Sequence, residues 1–317
     1  MNIVLSYIGK MPDYIIECIY QIRLFSNSNI YLIMNDLKSP LFLQLLKLKV
    51  KIISYDFVYS TDFNDCFNKN SKKILISPHK DREELFIRSI ERFFILQNAM
   101  KLYNLSDVLF MELDNLIYDN PEKWLNEFKK HNLCFMFDNI DRCSAGLMYV
   151  KNSNSIQGML KYFIDYIEDD NNNYIDEMTL LFRYYMHVKD NKLFDIIQLL
   201  PTYWSDENIS EYSTKNYGKY GNSIFDAAAI GIHLFGVDPC LLNNTDFQKD
   251  YKKEKWNPSC IDYTKQEILW KLDDDDRLIP YIFTGNKWAK INNLHLHCKN
   301  LKLGLSKPYF HPTSLFT

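Results

Sequence analysis

Short apolar runs alternate with stretches of helical period through the first hundred residues, and that alternation restricts the fold more than any other feature. Ile3-Val4-Leu5-Ser6-Tyr7 stops at Gly9-Lys10-Met11-Pro12, a strand followed by a turn. Ile15, Ile16, Ile19, Ile22 and Leu24 then recur at near-helical spacing, with Asp13 placed to cap them. Ile30 to Met34 reads as a second strand closed by Asn35-Asp36, a helix follows around Leu41–Leu48, and Val50 to Tyr55 reads as a third strand. This β-α-β-α-β order predicts an α/β fold with a mostly parallel, doubly wound, Rossmann-like sheet flanked by helices. Such sheets take ligands at the carboxyl ends of their strands.

Further along, residues 60–82 are rich in Asn, Asp and Lys and read as a long loop. A helix is expected from about Arg82 to Tyr103, carried by Leu85, Phe86, Ile90, Phe93, Phe94, Leu96 and Ala99. Val108-Leu109-Phe110-Met111 is the most strand-like run, and it ends directly in Glu112-Leu113-Asp114-Asn115. Strands are expected at Leu133–Phe137 and Gly146–Val150, and helices at about Ser155–Ile167 and from Asp176. Residues 169–173 read as a loop, 202–222 as irregular, and the acidic run Asp273–Asp276 as a solvated loop. No internal repeat or linker divides the chain, so one domain with a long tail is expected.

Composition enters through glycine. Only 9 of 317 residues are glycine and no G-x-G occurs, so the dinucleotide fingerprint, the Walker loop and the kinase glycine loop are all absent. Phosphates, if bound, must be held another way. The net charge of −3 is built from interspersed signs, which leaves no footprint for nucleic acid. The 7 cysteines (18, 66, 134, 143, 240, 260, 298) form no C-x-x-C pair, which suits a reducing compartment. Without a basic leader, a cleavable apolar core or a membrane-length apolar run, a soluble cytoplasmic protein is expected.

Carboxylates at the carboxyl end of a buried strand are costly unless they bind something. In Glu112-x-Asp114 one intervening residue on extended chain puts both acids on one side, ~6–7 Å apart by Cα, which suits a divalent cation with hard oxygen ligands. The competing reading is a solvated turn. If Leu294 to Asn300 is extended, His295, His297 and Lys299 also share one face, and imidazole and ammonium suit a metal and a phosphate. Asp176-Glu177 opens a helix, where acids are favoured by the dipole and by capping.

Taken together, the strand ending at Gly9-Lys10, the helix carrying Glu91-Arg92-Phe93-Phe94 and the run Phe110-Met111-Glu112-Leu113-Asp114-Asn115 resemble GT-A glycosyltransferases. Ser144-Ala145-Gly146-Leu147-Met148-Tyr149-Val150 is similar to their small-residue strand near the donor sugar. Phe225 to Gly231 running on to Gly236-Val237-Asp238-Pro239, and Leu294 to Lys299, extend the resemblance to about residue 300.

The resemblance implies the GT-A fold as a single domain. Its nucleotide-sugar-binding half would be 1–118, its acceptor-side half 119–240, and 241–317 a tail returning to the metal site. It implies Mn²⁺ or Mg²⁺ on Glu112, Asp114 and His297, with His295 as the alternative ligand, and Lys299 on the diphosphate. Tyr7, Gly9, Lys10, Asn35 and Asp36 would line the nucleoside, Arg92 would reach the donor, and Ala145 and Gly146 would let the sugar approach. The base would be Asp176, Glu177 or Asp226. The donor implied is a nucleoside-diphosphate sugar, UDP-linked in most similar folds, and the acceptor a hydroxyl, as on a glycan. Glu stands where the family usually has Asp, and Ala227-Ala228-Ala229 where relatives often carry glycine. A sugar-nucleotide nucleotidyltransferase and a non-catalytic glycan-binding protein are the competing readings. The former usually needs a glycine-rich, basic first loop, of which only Gly9-Lys10 is present.

Overall fold

The computed structural model describes residues 1–74, 83–139, 141–169, 171, 175–193, 195–203, 214–237, 266–283 and 287–308. Strand β1 (Asn2–Tyr7) pairs in parallel with β2 (Asn29–Met34) on one side and β4 (Val108–Met111) on the other. Ile3, Val4 and Leu5 are fully buried, because a central parallel strand is covered on both faces and must be apolar throughout. With β3 (Val50–Ser54), β6 (Leu133–Asn139), β7 (Arg142–Val150) and β8 (Ile197–Leu200) the sheet has seven strands in the order β3-β2-β1-β4-β7-β6-β8. Only β7 runs against its neighbours. The mostly parallel α/β architecture read from the sequence is therefore present.

Two apolar layers cover the sheet. On one face, α1 (Ile15–Phe25), α2 (Phe42–Lys47) and the short α6 (Leu125–Phe128) share a core with the carboxyl-terminal strands. On the other lie α5 (Glu83–Leu102), α7 (Ser153–Glu168) and α8 (Glu177–Asp190). The short helix α3 (Tyr55–Val58) and α4 (Thr61–Ile74) join them. The loop expected over 60–82 is thus a helix as far as Ile74, and 75–82 lie outside the described residues. Its apolar stripe is short but regular: Phe63, Cys66 and Phe67 recur at i, i+3 and i+4. Phe63 packs 5.2 Å from the Phe94 ring. Asp13 does not cap α1, whose N-cap is Tyr14 with no side-chain bond. The segment 202–222 holds a 3₁₀ turn at Tyr217–Tyr220, with 204–213 outside the described residues.

The carboxyl-terminal region forms a second sheet and a ribbon. Strands β10 (Ile268–Leu272), β11 (Leu278–Phe283) and β12 (Trp288–Ile291) are joined by β9 (Ser223–Ile224). The acidic run is the β10–β11 turn, where Asp273 accepts from the Asp275 and Arg277 amides. Strand β13 (Asn293–His295) then pairs antiparallel with β5 (Asn115–Ile117), in the register His295 to Asn115. That pairing brings the tail to the end of β4. Among the described residues no helix is long and apolar enough to cross a membrane.

Candidate metal centre and its surroundings

The acids lie where β4 leaves the sheet. The Glu112 amide donates to the Gly146 carbonyl (2.9 Å), and the Leu296 amide donates to the Asp114 carbonyl (2.8 Å), so both the motif and the tail are held by backbone. The chain is extended only as far as His295. Residues 297–299 turn, with Lys299 in left-handed backbone (φ 58°), so the single extended face expected over Leu294–Asn300 does not form. The turn still returns Lys299 to Asp114, which accepts its ammonium through Oδ2.

Each carboxylate of the pair divides its oxygens between a cation and a common point. Glu112 Oε1 accepts from Arg92, while Oε2 lies 3.0 Å from His295 Nε2. Asp114 Oδ2 is held by Lys299, while Oδ1 lies 3.3 Å from the same nitrogen. Among the described residues Glu112, Asp114 and His295 form the one group of such side chains able to hold a metal, with ligand atoms within 4.8 Å of one another. Two hard oxygens and one imidazole nitrogen fit Mn²⁺ or Mg²⁺, and three protein ligands leave positions for oxygens of a bound molecule. Although burial opposes it, the two acids raise the His295 pKa well above the usual imidazole value. Burial opposes ionisation of both acids too, yet Arg92 and His295 lower Glu112, and Lys299 and His295 lower Asp114.

A cradle fixes His295. Its Nδ1 lies 3.2 Å from the Ala227 carbonyl, an arrangement that places the proton on Nδ1 and aims Nε2 at the acids. A Cβ on Gly231 would stand only 2.1 Å from the His295 carbonyl oxygen, so that position requires glycine, while one on Gly146 would stand 2.9 Å from Nδ1 and would have to displace the His295 ring. Asp226, 1% exposed, accepts through Oδ1 from the Ala228 and Ile230 amides, and through Oδ2 from those of Gly231 and His295. It locks the start of α9 (Ala229–Phe235) to β13. Burial nonetheless pushes its carboxyl above the ordinary value.

No family model matches the chain, and no curated protein matches it. Solved structures do. Mouse xyloside xylosyltransferase 1 in its apo form is 11% identical, covering 67% of this chain and 92% of that one, with a TM-score of 0.40. The PaToxG glycosyltransferase is 12% identical over 61% of this chain and 74% of that one, with a TM-score of 0.37. A cytidylyltransferase from Leptospira borgpetersenii is 10% identical, covering 80% and 94%, with a TM-score of 0.34.

The other residues singled out from sequence fall into groups. Tyr7, half-buried at the end of β1, stands near enough to feel the charges of Lys299 and Asp114. Asn35 and Asp36 bind the first loop itself: Asn35 Oδ1 accepts from the Gly9 amide (2.8 Å) and Asp36 Oδ2 from that of Met11 (3.1 Å). Lys10 is exposed. Ala145 is buried among the helices of the opposite face, while Gly146 abuts His295. Arg92 is committed to two acids, donating also to Glu177 Oε1 (2.5 Å). His297 packs edge-on to His295, ring centroids 4.5 Å apart, and burial followed by the His295 charge lowers its pKa to about 3. Asp176 caps α8, accepting from the Thr179 amide (2.9 Å) and hydroxyl (2.8 Å). Asp238 and Pro239 lie outside the described residues.

Asp138, not singled out from sequence, ends the apolar run Leu133–Phe137 at the carboxyl end of β6. The rule that drew attention to Glu112 applies equally there.

Proposed function

We propose that the chain is a divalent-metal-dependent glycosyltransferase that moves a sugar from a nucleoside-diphosphate donor, with UDP as the first candidate nucleotide, to a hydroxyl acceptor such as a glycan. The observation that carries this reading is the pair of carboxylate oxygens and one imidazole nitrogen converging at the carboxyl end of the central sheet, in a chain without a glycine phosphate loop. Glu112, Asp114 and His295 would hold Mn²⁺ or Mg²⁺, which when bound neutralises the charge of a diphosphate leaving group. Lys299 adds a fixed positive charge beside Asp114, and Tyr7, at the end of β1, lies within reach of both charges.

Of the three candidate bases, Asp176 and Asp226 have both oxygens engaged in holding the chain in place. Glu177 is the better choice. Desolvation, reinforced by the neighbouring Glu112 charge, outweighs Arg92 and raises its pKa, as a proton acceptor working near neutrality needs.

Screening a nucleotide-sugar panel for hydrolysis with and without Mn²⁺ tests the reading, beside melting of the protein with UDP and Mn²⁺. Metal-dependent release of the nucleoside diphosphate and an upward melting shift support it. Release of pyrophosphate from a nucleoside triphosphate and a sugar phosphate would instead identify a nucleotidyltransferase. No response to any nucleoside diphosphate would remove the proposal.

A further inference from the structure

Away from the metal centre, a cavity of about 170 Å³ lies along β8, the last strand of the seven-stranded sheet. The Ile196 carbonyl faces β6 and accepts from the Leu133 amide, whereas the Leu199 carbonyl faces outward and accepts from the Asn216 side chain (2.7 Å). Alternation along the strand therefore turns the amides of Ile197 and Leu199 outward as well. Both residues line the cavity, and no strand among the described residues pairs with that side of β8. An uncovered strand edge is a row of backbone donors and acceptors.

The walls divide by chemistry. Val188, Ile197 and Leu199 supply apolar surface. Lys189, Lys215, Lys219 and His131 supply the basic groups, and no carboxylate lines the cavity. That concentration departs from a chain whose 40 acidic residues outnumber its 37 basic ones. The acid near this wall, Glu127, stands 3.5 Å from Lys219 but is shared with Lys130 and Gln198. The positive charge reaches inward: after burial, Lys219 is the next cause lowering the His131 pKa. His131 also has its Nδ1 buried without a partner.

The cavity is remote from the acids at the end of β4. Helix α8 opens at Glu177, beside Arg92, and reaches Lys189 twelve residues later, about 18 Å along its axis. His131 directly precedes β6 and Ile197 begins β8, so the cavity lies toward the amino ends of these strands.

We infer that this cavity binds a small organic oxyanion, its apolar body on Val188, Ile197 and Leu199 and its carboxylate or phosphate head among Lys189, Lys215, Lys219 and the outward amides of β8. The volume is close to the ~150 Å³ that accommodates one benzene ring, which sets the size of the body and leaves no room for a nucleotide. A metal ion would meet only cations here. An uncharged ring would fill the apolar part and leave the lysines without a counterion. The inference is independent of the transferase reading.

Calorimetric titration of benzoate and of phenyl phosphate into the full chain, at low ionic strength and with chelator present, tests it. Both should bind saturably, one per chain, at about millimolar affinity or tighter. Lys215→Gln and Lys219→Gln combined should weaken both by about tenfold or more. These two lysines are exposed, so melting of the double variant should match the wild type. Benzamide keeps the ring without the charge, and inorganic phosphate keeps the charge without the ring. Each should bind at least about tenfold more weakly than the aryl anions. Whichever aryl anion binds more tightly identifies the head group as carboxylate or phosphate.

The site is overturned if neither aryl anion binds saturably, if the double variant binds them as the wild type does, or if benzamide or inorganic phosphate binds as tightly. Competition by UDP with Mn²⁺ would also overturn it, by placing the anions at the metal centre. A chain that binds both aryl anions as expected but never binds UDP would keep this site and remove the transferase.

Discussion

Asp138 and Asp226 are two aspartates of equal burial, near enough to feel each other's charge, with opposite surroundings. Each is 1% exposed. Asp226 collects four backbone N–H donors, whereas Asp138 collects none. A carboxylate that closes a turn and fastens a strand serves the fold. One left without donors at the ligand end of the sheet costs stability, and no hydrogen bond to its carboxylate offsets that cost. Equal burial alone would have hidden this difference.

The sharpest way to break the comparison is to remove each acid. Asp226→Ala should lose about 3–4 kcal/mol in urea unfolding, because four buried amides are orphaned and the anchor of His295 is released. A loss below about 1 kcal/mol would mean that the turn holds without its acid. Gly231→Ala comes next, at about 2–4 kcal/mol, since its Cβ would stand 2.1 Å from a backbone oxygen that has little room to move.

Asp138→Asn should go the other way. Burial, opposed by Arg142 and His295 and assisted by Asp226, pushes the Asp138 carboxyl up to about 6. A folded-state value above the unfolded one favours folding below about pH 4, and that advantage is lost as pH rises through about 6. The variant should therefore match the wild type near pH 4 and exceed it by about 2–3 kcal/mol at about pH 8. A gain independent of pH would show that the ionised carboxylate carries no penalty. Gly146→Ala has a Cβ that meets only the ends of side chains. It should therefore leave melting within a few degrees but tilt the His295 ring and weaken Mn²⁺ binding about tenfold by calorimetry. The smallest effect belongs to Asp176→Ala, a lost helix cap of about 1 kcal/mol with turnover changed less than about threefold. A collapse of turnover there would return the base role to Asp176.

Much of this architecture was legible in the order of residues, and the exceptions have physical reasons. The parallel strands announced themselves because burial on both faces demands unbroken apolar runs such as Ile3–Leu5. Helix α4 did not, since Phe63, Cys66 and Phe67, though helically spaced, stand among so many Asn, Asp and Lys that the composition looks like a loop. The reversal of β7 is a property of pairing, to which side-chain period is blind. Glu112 and Asp114 stood out because acids seldom end a buried strand, and the same logic would have found Asp138 on β6. Which histidine faces the acids was not legible. The register of β13 on β5 and the turn after His295 decide it, and both are tertiary.

That register carries the central claim, that His295 completes a divalent-metal site with Glu112 and Asp114. Isothermal titration of Mn²⁺, in the presence of UDP, into the wild type, His295→Ala and His297→Ala tests it most directly. The account predicts that His295→Ala loses affinity by about a hundredfold or more while His297→Ala stays within about fivefold of the wild type. Loss confined to His297→Ala, with His295→Ala binding as the wild type does, would contradict it.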